Sequence, residues 1–128
     1  MLEHEHRHVE ERFDDYEQSG DDAIAEDICA LLTAHDELEQ NVLYPRLRDF
    51  GDRTGQLADS AEDAHDQIRH LVGRVRLAAP DDRLGLIEQL WAAVDAHVRE
   101  EETEIFPTMR DLGVDGESLG RELEQARG

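Results

Sequence analysis

HDELEQNVLYP, residues 35–45, returns in altered form 62 residues later as HVREEETEIFP, residues 97–107. Both copies keep a histidine (His35, His97), a glutamate four residues on (Glu39, Glu101), an aromatic nine on (Tyr44, Phe106) and a proline ten on (Pro45, Pro107). A histidine and a glutamate four apart lie one turn apart on the same face of a helix. Together, imidazole and carboxylate suit iron, manganese or zinc. A proline inside a helix removes a hydrogen bond and bends the axis. Two prolines at one register predict that both helices bend for the same geometric reason.

Outward from these copies, four stretches carry apolar residues at helical spacing. The first holds Leu2, His6, Val9, Phe13 and Tyr16 and ends near Ser19-Gly20. The second holds Ile24, Ile28, Leu31, His35, Leu38 and Val42, with Asp21 or Asp22 as cap and Phe50-Gly51 as its close. The third holds Leu57, Ala61, Ala64, Ile68, Val72 and Val75 and stops before Ala79-Pro80-Asp81-Asp82. The fourth holds Leu84, Ile87, Trp91, Val94, Val98 and Ile105 and ends near Leu112-Gly113. Short connections make neighbouring helices antiparallel. The expected fold is all-α: an up-down-up-down four-helix bundle over residues 1–112, followed by an acidic tail, 113–128, with a short helix between Glu117 and Arg127.

The stripes contain residues that do not belong in a plain core. Glu101 shares its stripe with Val94, Val98 and Ile105, and His6 sits among Leu2, Val9 and Phe13. His35 lies between Leu31 and Leu38, and His65 lies at the edge of the Ala61, Ile68, Val72 stripe. An isolated buried carboxylate costs several kcal/mol, and a bound cation removes that penalty. Any one buried histidine is most simply a hydrogen-bonded core residue. A metal-free core would have to satisfy His6, His35, Glu39, His65, His97 and Glu101 separately. His4 and His8 lie about 200° from His6 around the helix, and His70 points away from Ile68, so these three are expected at the surface. In a metal-free protein, burial and mutual repulsion are expected to raise the pKa values of Glu39 and Glu101. Phe13, Tyr16, Trp91 and Phe106 are expected as core aromatics, and Cys29 as a small core residue.

Composition narrows the function. Thirty-three acids face thirteen basic residues, all arginine, for a formal charge of −20. That balance disfavours nucleic acid and anionic membranes as partners. No apolar run approaches the roughly 20 residues needed to span a bilayer. The first residues lack the pattern of a signal peptide, and a single cysteine rules out an internal disulfide, so a cytoplasmic location is expected.

The ordered set His6, His35-x3-Glu39, His65, His97-x3-Glu101, with Tyr44-Pro45 and Phe106-Pro107, resembles the hemerythrin-like (HHE cation-binding) family over residues 1 to about 112. The resemblance implies two iron ions in mid-bundle, joined by an oxo or hydroxo bridge. Glu39 and Glu101 would be bridging carboxylates, and His6, His35, His65 and His97 terminal ligands. Oxygen-carrying members have a second histidine one turn along the third helix, where this chain has Ala61 and Arg69. One iron is then short of a protein ligand unless Glu62, Tyr44 or water supplies it. Glu62 and Arg69 are expected to form a salt bridge beside His65. This pattern is similar to the bacterial and archaeal branch, which implies binding of, or reaction with, O2, peroxide or nitric oxide. An iron or oxygen sensor without catalysis is the alternative, and a zinc or manganese bundle a further one. No acid-base residue is legible beyond the ligands, and no motif for a protein partner.

Overall fold

The computed structural model describes residues 2–113, with side chains from residue 6 onward. Four helices follow one another. Helix α1 is Leu2–Ser19 and α3 is Asp52–Leu77. Helix α2 (22–49) runs through Asp22–Leu38, a π-helical turn Glu39–Leu43, and Tyr44–Asp49. Helix α4 (80–111) repeats that plan: Pro80–Glu100, a π-helical turn Glu101–Ile105, and Phe106–Asp111. No strand occurs among the described residues. The tail from residue 114, with the helix expected there, lies outside them.

The helix ends follow from local chemistry. The side chain of Asp21 accepts the Ala23 N–H at 2.9 Å and caps α2. Pro80 opens α4, where its missing N–H costs nothing, and Asp81 and Asp82 favour the positive end of the helix dipole. Gly51 and Gly113 adopt φ of 126° and 81° and stop α2 and α4. They too are 62 residues apart, so the repeat runs past the prolines, from YPRLRDFG (44–51) to FPTMRDLG (106–113).

The expected bend takes a specific form. Pro45 has no N–H, and its ring would strike the carbonyl one turn back. The helix widens just before it, so that the Tyr44 N–H bonds to the Glu39 carbonyl, five residues back. Before Pro107 the Phe106 N–H bonds to the Glu101 carbonyl in the same way. Each π-helical turn therefore begins at the glutamate of a His-x3-Glu pair.

Two apolar clusters fill the bundle. One contains Val9, Phe13, Ile28, Leu71, Val75, Ile87 and Leu90. The other contains Leu38, Leu43, Tyr44, Leu47, Ala58, Ala61, Ile105 and Met109. Along α3 and α4, His65, His97 and Glu101 fall between the two sets, so a polar layer separates two dry halves. One expectation fails in α4: Leu84 is exposed, and the inward stripe is instead Leu86, Ile87, Leu90 and Val94. Phe13 and Tyr16 are buried, whereas Trp91 is half-buried and packs on Phe13 at 4.9 Å between ring centroids. Among the described residues no helix is long and apolar enough to cross a membrane.

Candidate metal centre

Each helix brings one histidine to the polar layer: His6 on α1, His35 on α2, His65 on α3 and His97 on α4. All four are buried, and Glu39 and Glu101 are fully so. His8 and His70 are exposed, as their helix positions require; the side chain of His4 is not described. The six ligand-type residues form two overlapping clusters. His6, His35, Glu39 and Glu101 make one, and Glu39, His65, His97 and Glu101 the other. The lack of a fifth histidine thus leaves an even division, with two imidazoles and two shared carboxylates on each side.

The carboxylates are oriented across this division. Glu39 turns Oε1 to His35 Nε2, and places Oε2 3.1 Å from His65 Nε2 and 3.4 Å from His97 Nε2. Glu101 places Oε2 3.0 Å from His6 Nε2 and Oε1 2.7 Å from His97 Nε2. Each carboxylate therefore lends one oxygen to each histidine pair. Within the pairs, Nε2 faces Nε2, at 3.3 Å for His6 and His35 and at 2.7 Å for His65 and His97.

These contacts are close but poorly arranged as hydrogen bonds. Glu39 Oε1 and both Glu101 oxygens are buried without a hydrogen-bond partner. Buried polar atoms are rarely left so, because an unmet carboxylate oxygen costs several kcal/mol. Imidazole nitrogens and carboxylate oxygens that converge without good hydrogen-bond geometry are what a cation satisfies. Imidazole nitrogen and carboxylate oxygen in one cluster suit iron, manganese or zinc. The residues present therefore fit bound metal.

Electrostatics show how the site is neutralised without metal. Burial pushes the His35 imidazole down, but the Glu39 carboxylate outweighs it and lifts its pKa to about 9. Burial also opposes charge on His97, yet contact with Glu101 and Glu39 raises it to about 10. Burial alone would raise Glu39, but the neighbouring His35 imidazole and the hydrogen-bonding groups around it hold it well below the usual carboxylate range. The upward shift expected for Glu39 is thus reversed. Repulsion from a second carboxylate was expected to dominate, whereas the His35 imidazole one turn back on the same helix lies against Glu39 and outweighs it, with Glu101 and His65 adding hydrogen bonds from other helices.

A surrounding layer fixes these groups. The His65 Nδ1–H donates to the Asp36 carboxylate in a short contact, and Arg69 lies 3.5 Å from the other Asp36 oxygen. His6 Nδ1 faces Glu102 at 3.4 Å, and the His6 ring stacks on Phe106 with centroids 6.2 Å apart. The Tyr44 hydroxyl donates to Glu39 Oε2 at 2.7 Å. Burial, and then the Glu39 and Glu101 charges, push the Tyr44 phenol strongly upward, so it stays a donor. The expected Glu62–Arg69 bridge does not form. Glu62 pairs with Arg48 at 2.8 Å, and Arg69 pairs with Asp66. Glu62 is therefore engaged by Arg48 of α2.

Asp36 and Glu102 are functional candidates that the helical stripes alone do not reveal. Each directly follows a ligand-type residue, and one residue is about 100° around a helix. That step aims the acid at the imidazole of a neighbouring helix. A carboxylate on the far nitrogen of a ligand histidine fixes its tautomer and raises its basicity.

A family model for the hemerythrin HHE cation binding domain matches residues 1–118. The chain belongs to that family. A protein of Nostoc sp. described as a DNA nickase is 33% identical over 119 residues, covering 84% of this chain and 32% of the relative. The chain thus spans about a third of the length of the relative it matches. No solved structure matches it.

Proposed function

We propose that the six clustered residues hold two iron ions and that the loaded centre binds or reacts with O2, peroxide or nitric oxide. One observation carries this reading: Glu39 and Glu101 each direct one oxygen to each histidine pair, the arrangement of carboxylates that bridge two cations. Iron bound there would supply ferrous–ferric exchange and open coordination positions for a small ligand. The chain's own contribution is orientation. Asp36 holds His65 in one tautomer, Tyr44 steadies Glu39, and apolar clusters flank the layer on both sides. Supplied with zinc or manganese, the same residues would make a redox-inert or less oxygen-reactive centre. A single, fully buried cysteine is in keeping with a cytoplasmic setting.

Metal analysis of protein purified with iron, together with its optical spectrum, tests the proposal. The expected result is about two irons per chain and near-ultraviolet absorption from a bridged diferric pair. One metal per chain, or a colourless zinc protein from iron-replete cells, would overturn it.

A second reading, metal or oxygen sensing without turnover, draws on the Nostoc relative, in which the matched region is a minor part of a longer chain. Peroxide consumption by the iron-loaded protein separates the two readings: a rate no higher than that of free iron favours sensing. We do not carry the relative's DNA-directed activity over. A formal charge of −20 opposes contact with phosphates. Retardation or nicking of supercoiled plasmid by the loaded protein would reverse that judgement.

A further inference from the structure

We propose that the cavity beside the metal centre binds a small neutral apolar molecule of about the size of a single aromatic ring. The inference rests on the reading above only in placing that guest next to a metal. The cavity has a volume of about 230 Å³ and is lined by residues of all four helices, the four site imidazoles among them. A diatomic ligand needs little more room than a water, whose share of liquid volume is about 30 Å³. An apolar cavity of about 150 Å³ stays dry and holds benzene. The space here is therefore far larger than the proposed small ligand requires.

Its walls define the class of guest. Val9, Leu32, Ile68, Val72, Val94 and Val98 supply the apolar surface. The polar groups that line it apart from the imidazoles are already engaged elsewhere. Thr33 Oγ1 donates to the Cys29 carbonyl at 2.9 Å. Asp36 accepts from His65, Arg69 pairs with Asp66, and Arg76 donates to Glu26 at 2.9 Å. Away from the metal, a polar guest would have to break one of these contacts or leave its own groups unpaired. An apolar guest incurs neither penalty.

The structure also supplies a plug. Gly73 lines the cavity, and a Cβ added there meets nothing within 4 Å. Replacing a helical glycine by phenylalanine also improves helix propensity, so Gly73→Phe adds a ring at the cavity's exposed edge without a backbone penalty. Val72→Phe fills it from the adjacent wall.

Fluorine NMR titration of the metal-loaded full chain with fluorobenzene tests the inference. The expected result is one saturable site, with a broader guest resonance in iron-loaded than in zinc-loaded protein. Gly73→Phe should weaken binding by roughly tenfold or more, because the ring takes the guest's room, and metal content should stay unchanged. Absence of saturable binding overturns the proposal, as does binding that survives both substitutions. Tighter binding of fluorobenzoate than fluorobenzene overturns the apolar class. Saturable fluorobenzene binding by a chain that holds no iron leaves the cavity assignment standing while the di-iron reading fails.

Discussion

At the scale of single residues, the site depends on which atom faces which. His65 presents Nε2 to the polar layer because its Nδ1–H donates to Asp36. Removing that carboxylate frees the ring to change tautomer. Asp36→Ala should weaken metal binding by about 10- to 100-fold while the helix content by circular dichroism is retained; metal affinity by competition with a chelator checks it, and unchanged affinity would show that Asp36 is a surface acid only. The histidines sort by the same logic. His6→Ala, His35→Ala, His65→Ala and His97→Ala should each lower the metal content. His8→Ala and His70→Ala, whose side chains are exposed, should leave it unchanged. Loss of metal in His70→Ala with retention in His65→Ala would refute the placement of α3.

At the scale of elements, the two prolines determine where the glutamates stand. A continuous α-helix would bond the Leu43 and Tyr44 amides four residues back. The π-helical turn before Pro45 shifts that register and starts at Glu39, and its counterpart starts at Glu101. Such turns often occur at functional sites. Pro45→Ala restores the missing N–H and removes a residue that costs a helix interior about 3 kcal/mol. The metal-free variant should melt at the same temperature or higher, whereas its metal affinity should fall as Glu39 rotates away from the histidines. Pro107→Ala should do the same through Glu101. Paired thermal melts and metal titrations check this; equal losses of stability and affinity would mean that the turn serves the fold alone. Arginines join the helices across their outer faces, Arg12 to Asp27, Arg48 to Asp59 and Glu62, and Arg83 to Asp22. Such exposed pairs contribute little each, so the two apolar clusters carry the packing.

At the scale of the whole molecule, the buried layer couples stability to pH. In the metal-free protein His35 and His97 have pKa values raised to about 9 and about 10. The folded state then binds more protons than the unfolded chain above the ordinary imidazole pKa of about 6.5. The stability these groups contribute is complete below that value and is lost as pH rises through 9 and 10, by about 1.4 kcal/mol per unit for each group while it titrates. Glu39 acts in the opposite direction: its depressed pKa contributes stability above the unfolded carboxylate value, lost as pH falls through its folded one. Metal-free protein should thus be most stable between about pH 4.5 and 6.5 as far as these groups govern it. Metal replaces the imidazole protons, so the gain in melting temperature on loading should be larger at pH 8 than at pH 5.5. Melts of both forms across that range check the sign. A metal-free protein whose stability rises steadily to pH 9 would show that His35 and His97 are not held as cations in the fold.

The sequence by itself determined the helices, their order and the inward direction of His6, His35, Glu39, His65, His97 and Glu101. Those properties are local: a period of about 3.6 residues fixes which side chains share a face, and glycine and proline mark where each helix stops or widens. Leu84 was misplaced because an apolar residue near the start of α4 satisfies the period without reaching the core. Tertiary structure alone decided which histidines pair, that each carboxylate is divided between the pairs, and that Asp36 and Glu102 stand behind His65 and His6. It also assigned Glu62 to Arg48 rather than Arg69 and reversed the expected shift of Glu39. Apart from the His35 contribution to Glu39, which comes from the same helix, these depend on distances between atoms of different helices. Spacing along one helix fixes direction around its own axis, but the approach of the next helix is set by how both apolar faces pack.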